Sequence, residues 1–136
     1  MRSIAMFISA LGLALSAGLV EAQGIPANST WLNQRGSTLQ IKTIDSSTGV
    51  LHGEYINRAT GFDCQNTPYD VIGWVEGDKV AFAVRWKNST KDCKAITSWT
   101  GYLERGVLVT DWDLAYTDSG LGRPTLMRGT DMFKKQ

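Results

Sequence analysis

From residue 31 to the end of the chain, apolar and polar side chains alternate in short runs that are interrupted by turn residues. Alternation with a period of two places successive side chains on opposite faces of a β-strand, and this region shows no sustained helical period. Eight runs are predicted as strands: residues 31–33, 38–44, 50–57, 69–75, 79–86, 95–103, 107–115 and 125–133. Most connections between them are short, as in antiparallel hairpins. The chain is therefore predicted to be an all-β antiparallel meander.

Taken together, the inward faces of several runs combine large aromatic side chains with a few polar ones. They include Val80, Phe82, Val84 and Trp86 in one run, Leu108, Thr110, Trp112 and Leu114 in another, and Thr97 with Trp99 in a third. A dry core between two packed sheets is better filled by Val, Ile and Leu. An eight-stranded barrel encloses a space wide enough for side chains and one small ligand. We therefore predict an eight-stranded antiparallel up-and-down β-barrel with a ligand site inside.

The first 22 residues have the composition of a targeting segment. Arg2 precedes a mostly apolar run, residues 4–20, and Val20-Glu21-Ala22 has the small-x-small pattern of a secretory cleavage site. The run is shorter than the ~20 apolar residues of a membrane-spanning helix. We predict that residues 1–22 are a removed signal peptide, that residues 23–136 form the barrel domain, and that the protein is secreted or periplasmic with no membrane attachment.

Cys64 and Cys93 are the two cysteines of the chain. Exported proteins mature in an oxidising environment, and two cysteines allow a single intramolecular pairing. We therefore predict a Cys64–Cys93 disulfide, which would join the connections at residues 58–68 and 87–94.

The charge and the composition exclude several classes of function. The 14 Lys and Arg residues nearly balance the 13 Asp and Glu residues, so no nucleic-acid partner is expected. One His and two Cys are too few for a metal site of the usual kind. Asp111 and Asp113 alternate with Trp112 and so point outward, His52 is expected to face solvent, and no nucleophile–base pair can be assembled. We expect neither an enzyme nor a bound cofactor.

Six ordered motifs resemble the successive strand motifs of the avidin and streptavidin family of biotin-binding proteins. They are Trp31-Leu32-Asn33-Gln34-Arg35-Gly36-Ser37, Gly53-Glu54-Tyr55, Ala83-Val84-Arg85-Trp86-Lys87-Asn88, Thr97-Ser98-Trp99-Thr100-Gly101, Thr110-Asp111-Trp112-Asp113-Leu114 and Gly129-Thr130-Asp131-Met132-Phe133. Residues 55–59 and 64–69 are most similar to the rhizavidin-like group of dimeric bacterial avidins. The resemblance implies an avidin-like barrel with biotin as its ligand.

The resemblance also implies a role for each residue of the binding site. Asn33, Ser37 and Tyr55 would donate to the ureido oxygen of biotin. Asp131 and Asn57 would accept from its two N–H groups. Thr97 would meet the ring sulfur, and the walls of the pocket would be Trp86, Trp99, Trp112 and Leu114. Ala95 stands near the biotin carboxylate, where relatives commonly have a serine. Outside the site, Trp31 and Phe133 are expected in the barrel floor, and Trp74 on the surface or at a subunit interface.

The connection before the eighth strand, residues 116–124, bears on assembly. Tetrameric relatives use a tryptophan from this connection to close the pocket of a neighbouring subunit, but no tryptophan follows Trp112 here. The resemblance therefore implies a homodimer in which the two cysteine-bearing connections close the pocket.

The residues alone leave an alternative open, a lipocalin-like carrier of another small apolar ligand, or an esterase or glycosidase on a small barrel. A carrier of purely lipophilic ligands has no use for three donors facing a carboxylate. The polar set Asn33, Ser37, Tyr55 and Asp131 therefore favours biotin.

Overall fold

In a computed structural model, which describes residues 24–136, eight strands close into a single barrel. They are β1 Ser29–Asn33, β2 Thr38–Ile44, β3 Val50–Ile56, β4 Pro68–Glu76, β5 Lys79–Lys87, β6 Asp92–Glu104, β7 Val107–Asp118 and β8 Arg123–Lys135. Each strand pairs antiparallel with its neighbours in the sequence, and β1 pairs with β8 to close the barrel. The predicted all-β, eight-stranded up-and-down barrel is confirmed. The predicted signal peptide, residues 1–22, lies outside the described residues.

The alternation of burial along the strands follows the predicted phase. On β5, Val80, Phe82, Val84 and Trp86 are buried while Lys79 and the other members of the opposite face are exposed or partly exposed. The same holds on β7, where Leu108, Thr110 and Trp112 are buried. Because successive residues of a strand point to opposite faces, one apolar residue in two is enough to fill the barrel interior.

The floor of the barrel, at the end of the interior away from the opening described below, is filled by aromatic side chains. Trp31 and Phe133 are fully buried there, as predicted for barrel-floor residues. Phe82 lies between Phe133 at 6.2 Å and Trp99 at 4.9 Å, measured between ring centroids. These contacts connect the floor of the barrel to the residues above it.

The last hairpin is longer than the sequence predicted. Residues 116–124 were expected to form a connection, but pairing continues through Tyr116↔Thr125 to Asp118↔Arg123, so the turn consists of residues 119–122 only. The turn is closed by two hydrogen bonds to Asp118, from the backbone N of Leu121 to its side chain at 2.8 Å and from the N of Gly122 to its carbonyl at 2.8 Å. Gly122 has a positive φ of 64°, which glycine adopts without a steric penalty.

The connection between β5 and β6 is shorter than predicted, because β6 begins at Asp92 and includes Cys93. The ladder shifts between the pairs Arg85↔Ile96 and Lys87↔Asp92. Between these pairs β6 has three residues and β5 has one, so β6 bulges. Lys94, in this bulge, has a φ of 50°. The bulge turns Cys93 toward the cysteine on the opposite loop.

Four connections lie at the same end of the barrel. In an up-and-down topology the connections alternate between the two ends, so those after β1, β3, β5 and β7 share one end. The barrel interior opens between these four connections.

None of residues 24–136 belongs to a helix that is long and apolar enough to cross a membrane.

Candidate ligand-binding site

A cavity of about 650 Å³ occupies the upper part of the barrel and opens between the four connections. The structure brings together at this cavity all eleven residues that the sequence assigned to a site. They are Asn33, Ser37, Tyr55, Asn57, Trp86, Ala95, Thr97, Trp99, Trp112, Leu114 and Asp131. Trp31 and Phe133 do not line it. A volume of this size fits a small organic molecule.

Asn33, at the end of β1, is held by the turn that follows it. Its Oδ1 accepts hydrogen bonds from the backbone N of Arg35 at 3.0 Å and of Ser37 at 2.9 Å. Because two backbone N–H groups occupy the carbonyl oxygen, the orientation of the amide is fixed and Nδ2 points into the cavity, 3.3 Å from the Tyr55 hydroxyl. Asn33 therefore presents a donor to the cavity.

Ser37 and Asn57 are joined by a long contact of 3.4 Å between Ser37 Oγ and Asn57 Oδ1. Ser37 Oγ also accepts from the backbone N of Arg58 at 2.9 Å, and Asn57 Oδ1 accepts from that of Ala59 at 3.0 Å. With its oxygen held by a backbone N–H, the Ser37 hydroxyl can turn its hydrogen toward a ligand. When the Ser37 hydrogen turns away, Asn57 Oδ1 has a lone pair free for another donor.

Tyr55 lies deep in the cavity, on β3. Its ring packs against Trp99 at 4.8 Å and against Trp86 at 5.8 Å, between centroids. Burial, with a smaller contribution from the negative charge of Asp131, raises the pKa of the Tyr55 hydroxyl well above its usual value. The hydroxyl therefore keeps its proton and remains a hydrogen-bond donor.

Asp131, on β8, is a carboxylate with only 3% of its surface exposed. Its Oδ2 accepts a hydrogen bond from Nε1 of Trp99 at 2.9 Å, and its Oδ1 accepts from Nε2 of Gln34 at 3.0 Å. Nε of Arg35 lies 3.6 Å from the same Oδ1. Two carboxylate oxygens offer about four acceptor positions, so Asp131 can still accept from a ligand N–H.

Thr97 and two tryptophans form the wall of the cavity. Thr97 Oγ1 accepts a hydrogen bond from Nε1 of Trp86 at 2.8 Å, which leaves the hydroxyl hydrogen free to point elsewhere. The indole of Trp112 lies directly on Gly129, its partner on β8, and a Cβ at residue 129 would overlap the ring. Glycine at residue 129 therefore leaves room for the Trp112 ring against the backbone of β8.

Leu114 and Ala95 add apolar side chains to the lining of the cavity, and both are partly buried. Ala95 provides no side-chain hydrogen bond, as the sequence indicated. Met127, which sequence reasoning did not single out, also lines the cavity.

Two connections at the mouth are tied together in three ways. Cys64 and Cys93 form the predicted disulfide, with their Cα atoms 6.3 Å apart. Nδ2 of Asn88 donates to Thr67 Oγ1 and to the carbonyl of Pro68, both at 3.0 Å. Nζ of Lys91 lies 3.5 Å from a carboxylate oxygen of Asp63. The disulfide is therefore one part of a larger connection between the β3–β4 and β5–β6 loops.

Sequence reasoning missed the functional environment of Gln34 and Arg35. Both residues belong to the motif at residues 31–37, but their partners on β8 are almost a hundred positions away in the sequence. The side chains proposed to lie outside the site do so: His52, Asp111 and Asp113 are exposed on the outer face. Residues 24–136 contain no cluster of three or more metal-ligating side chains.

Comparison with known proteins identifies relatives across nearly the whole barrel. The family model described as the avidin family matches residues 21–136. Afifavidin of Afifella pfennigii is 42% identical over 118 residues, which cover 83% of this chain and 72% of that protein. Hoefavidin of Hoeflea phototrophica is 36% identical over 115 residues, which cover 77% of this chain and 69% of that protein.

Solved structures agree with these matches. A crystal structure of a rhizavidin–biotin complex is 43% identical, has a TM-score of 0.76 and covers 82% of this chain and 92% of that chain. The resemblance to the avidin and streptavidin family that the six strand motifs indicated is confirmed, as is the similarity to bacterial avidins. The chain belongs to the avidin family.

Proposed function

We propose that this chain binds biotin inside the barrel cavity and acts as a non-enzymatic, exported protein. The observation that carries the proposal is the polar cluster at the inner end of the cavity. Donors from Asn33, Ser37 and Tyr55 stand beside the buried carboxylate of Asp131. A cyclic urea has the complementary pattern, one carbonyl oxygen between two N–H groups. Rhizavidin, which the chain resembles, was solved as a complex with biotin.

The ureido oxygen is placed among three donors. Nδ2 of Asn33 and the Tyr55 hydroxyl are already 3.3 Å apart, close enough to share one acceptor. The Ser37 hydroxyl completes the set when it exchanges its long contact with Asn57 for the ligand. Donors fixed before binding do not have to be ordered by the ligand, which lowers the cost of binding.

The two ureido N–H groups and the sulfur have separate partners. Asp131 accepts from one N–H and Asn57 from the other. The Thr97 hydroxyl, whose oxygen is held by Trp86, turns toward the ring sulfur. Around these groups Trp86, Trp99 and Trp112 exclude water, and polar contacts are stronger where water is excluded.

The alternative of a lipocalin-like carrier fits the interior less well. Burying polar groups that a ligand leaves unpaired costs about 1–3 kcal/mol for each group. A purely apolar ligand would exclude water from Asn33, Tyr55 and Asp131 and offer nothing to their remaining donor and acceptor positions. Against an enzyme, the sequence offers no nucleophile–base pair, and its one histidine, His52, lies on the outer face. Export follows from the signal peptide predicted at residues 1–22, with a secreted or periplasmic location.

The assembly we propose is a homodimer. The outer face of β4 carries two large exposed apolar side chains, Ile72 and Trp74, opposite the small residues Ala83 and Ala81 of β5. Trp74 is 57% exposed. An exposed tryptophan beside small residues is typical of the residues that contribute most of the binding energy in protein interfaces. The turn at residues 119–122 has no tryptophan to lend to a neighbour's pocket, so four-chain assembly brings no closure of that kind.

The mature chain should be retained on immobilised biotin and released by free biotin. Retention follows from recognition of the ureido group inside the cavity, so a biotin-free resin is the control. Failure to bind, or binding that free biotin does not displace, contradicts the proposed function.

Removing the Asp131 carboxylate should accelerate biotin release far more than restoring a hydroxyl at residue 95. Asp131→Ala leaves a ureido N–H without an acceptor, at about 1–3 kcal/mol or roughly 5- to 150-fold in off-rate. Ala95→Ser acts at the partly wet mouth and should change the rate less than about fivefold. The measurement is displacement of labelled biotin.

Two observations accompany this comparison. Asp131→Asn retains an oxygen for the Trp99 indole and should lose less affinity than Asp131→Ala. An Asp131→Ala protein that folds normally and has an unchanged off-rate would show that the carboxylate is structural only.

Breaking the disulfide should accelerate biotin release while the barrel remains folded. The Cys64→Ser, Cys93→Ser double variant loses about 3–4 kcal/mol of stability in the chain-entropy model and also loses the principal tie between the mouth loops. Off-rates are compared with circular dichroism of the same samples. Reductant should reproduce the effect in the wild-type chain and leave the double variant unchanged. Equal off-rates would assign the disulfide to stability alone.

The dimer should be visible by light scattering coupled to gel filtration, at twice the mature mass. Trp74→Ser removes the exposed indole from the outer face and should shift the protein toward monomer without affecting the cavity. A stable four-chain species would contradict the proposed assembly, and a wild-type monomer would do so as well.

A further inference from the structure

Arg35 lies in the turn between β1 and β2 and lines the cavity, yet the proposed recognition of biotin makes no use of its side chain. The side chain is 43% exposed, with Nε 3.6 Å from Oδ1 of Asp131. The central carbon of its guanidinium group lies 6.0 Å from the centroid of the Trp112 ring, within range of a cation–π contact. Arg35 thus bridges two of the residues that face the ligand.

The turn holds Arg35 at this place through its neighbour. Nε2 of Gln34 donates to the carbonyl of Thr130 and to Oδ1 of Asp131, both at 3.0 Å. Oε1 of Gln34 accepts from the backbone N of Met132, also at 3.0 Å. The Gln34 amide therefore fastens the turn to β8 on both sides of Asp131, and the next residue in the chain, Arg35, is fixed beside the carboxylate.

The charge of Arg35 matters because Asp131 is buried. A carboxylate at the inner end of a cavity attracts any cation that fits, and the attraction is strong where water is excluded. Among the cavity-lining residues in the described part of the chain, the other cation is Lys91, whose ammonium faces Asp63 at the mouth. Arg35 is therefore the cation that faces Asp131. Its charge also reaches the interior, where it opposes the rise in the pKa of Tyr55.

We propose that Arg35 is a specificity residue that balances the charge of Asp131, so that the cavity selects a neutral cyclic urea over a cationic head group of the same shape. A cationic head group is attracted by Asp131 and repelled by Arg35. A neutral urea carries no net charge, so both charges affect its binding less. Discrimination of this kind arises from a repulsive group as much as from an attractive one. The inference rests on the proposed binding of biotin and adds a determinant of head-group selection.

The test compares biotin with 2-iminobiotin, in which a protonated nitrogen replaces the ureido oxygen and makes the ring a guanidinium cation at neutral pH. Three donors that face the oxygen already disfavour this analogue, so the quantity measured is the ratio of the two dissociation constants. The variant is Arg35→Gln, which removes the charge and keeps a polar side chain of moderate length. It should reduce the preference for biotin by about tenfold, the size expected for one charge several ångströms away.

Two control variants separate charge from packing. Arg35→Lys keeps the charge without the planar guanidinium and should retain a preference close to that of the wild type. Arg58→Gln removes an equal charge from the same end of the barrel, where Arg58 contacts Gly36 and Thr38 but does not line the cavity. It too should leave the preference unchanged.

The outcomes that overturn the inference differ from those that overturn the proposed function. If wild-type protein binds biotin but Arg35→Gln keeps the wild-type preference, Arg35 does not select the head group. If Arg35→Lys loses as much preference as Arg35→Gln, packing on Trp112 is responsible rather than charge. If Arg58→Gln shifts the preference for biotin as much as Arg35→Gln does, the effect arises from the net charge at the open end of the barrel and not from Arg35 itself. A chain that binds no biotin overturns both proposals.

Discussion

Three residue pairs between β1 and β8 close the barrel, and the polar end of the cavity exists only because of them. Asn33 pairs with Phe133, which brings the first turn of the barrel beside Asp131. This seam is short, but the Gln34 amide adds three hydrogen bonds to β8 just beyond it. In an open sheet the donors of the first turn and the carboxylate of the last strand would lie at opposite edges. Closure therefore assembles the polar cluster at the same time as it removes the two free sheet edges.

The aromatic core supports this cluster from below. Trp99 stacks on Phe82 and packs against Tyr55, and its indole N–H holds one oxygen of Asp131. Because each ring is confined by another, the polar groups are held in place by packing as well as by hydrogen bonds. The position of the ligand-facing carboxylate is thus linked to the floor of the barrel through Trp99, which lines the cavity, and Phe82, which does not.

Much of the fold could be predicted from the sequence, since the period-two pattern indicates all eight strands and, on β5 and β7, the inward face. The misplaced boundaries were those where polar and glycine residues belong to a ladder rather than a turn, as in the pairs Tyr116↔Thr125 and Asp118↔Arg123. Local composition does not distinguish an exposed strand end from a loop. For the candidate site, resemblance to the family named the eleven residues that the barrel brings together. It gave no sign of Arg35 beside Asp131, because that contact depends on the closing register of β1 and β8.

The contact between Trp112 and Gly129 restricts how this sequence can change. With an indole at residue 112, every side chain at residue 129 would overlap the ring, so glycine is the residue that the pair allows. If residue 112 is first replaced by a smaller residue, a side chain at residue 129 has space. If residue 129 changes first, its side chain displaces the Trp112 indole from the cavity wall. Residues in direct contact do not contribute independently to stability. The two positions are therefore open to substitution in one order only, and related chains should carry a side chain at residue 129 only where residue 112 is smaller than tryptophan.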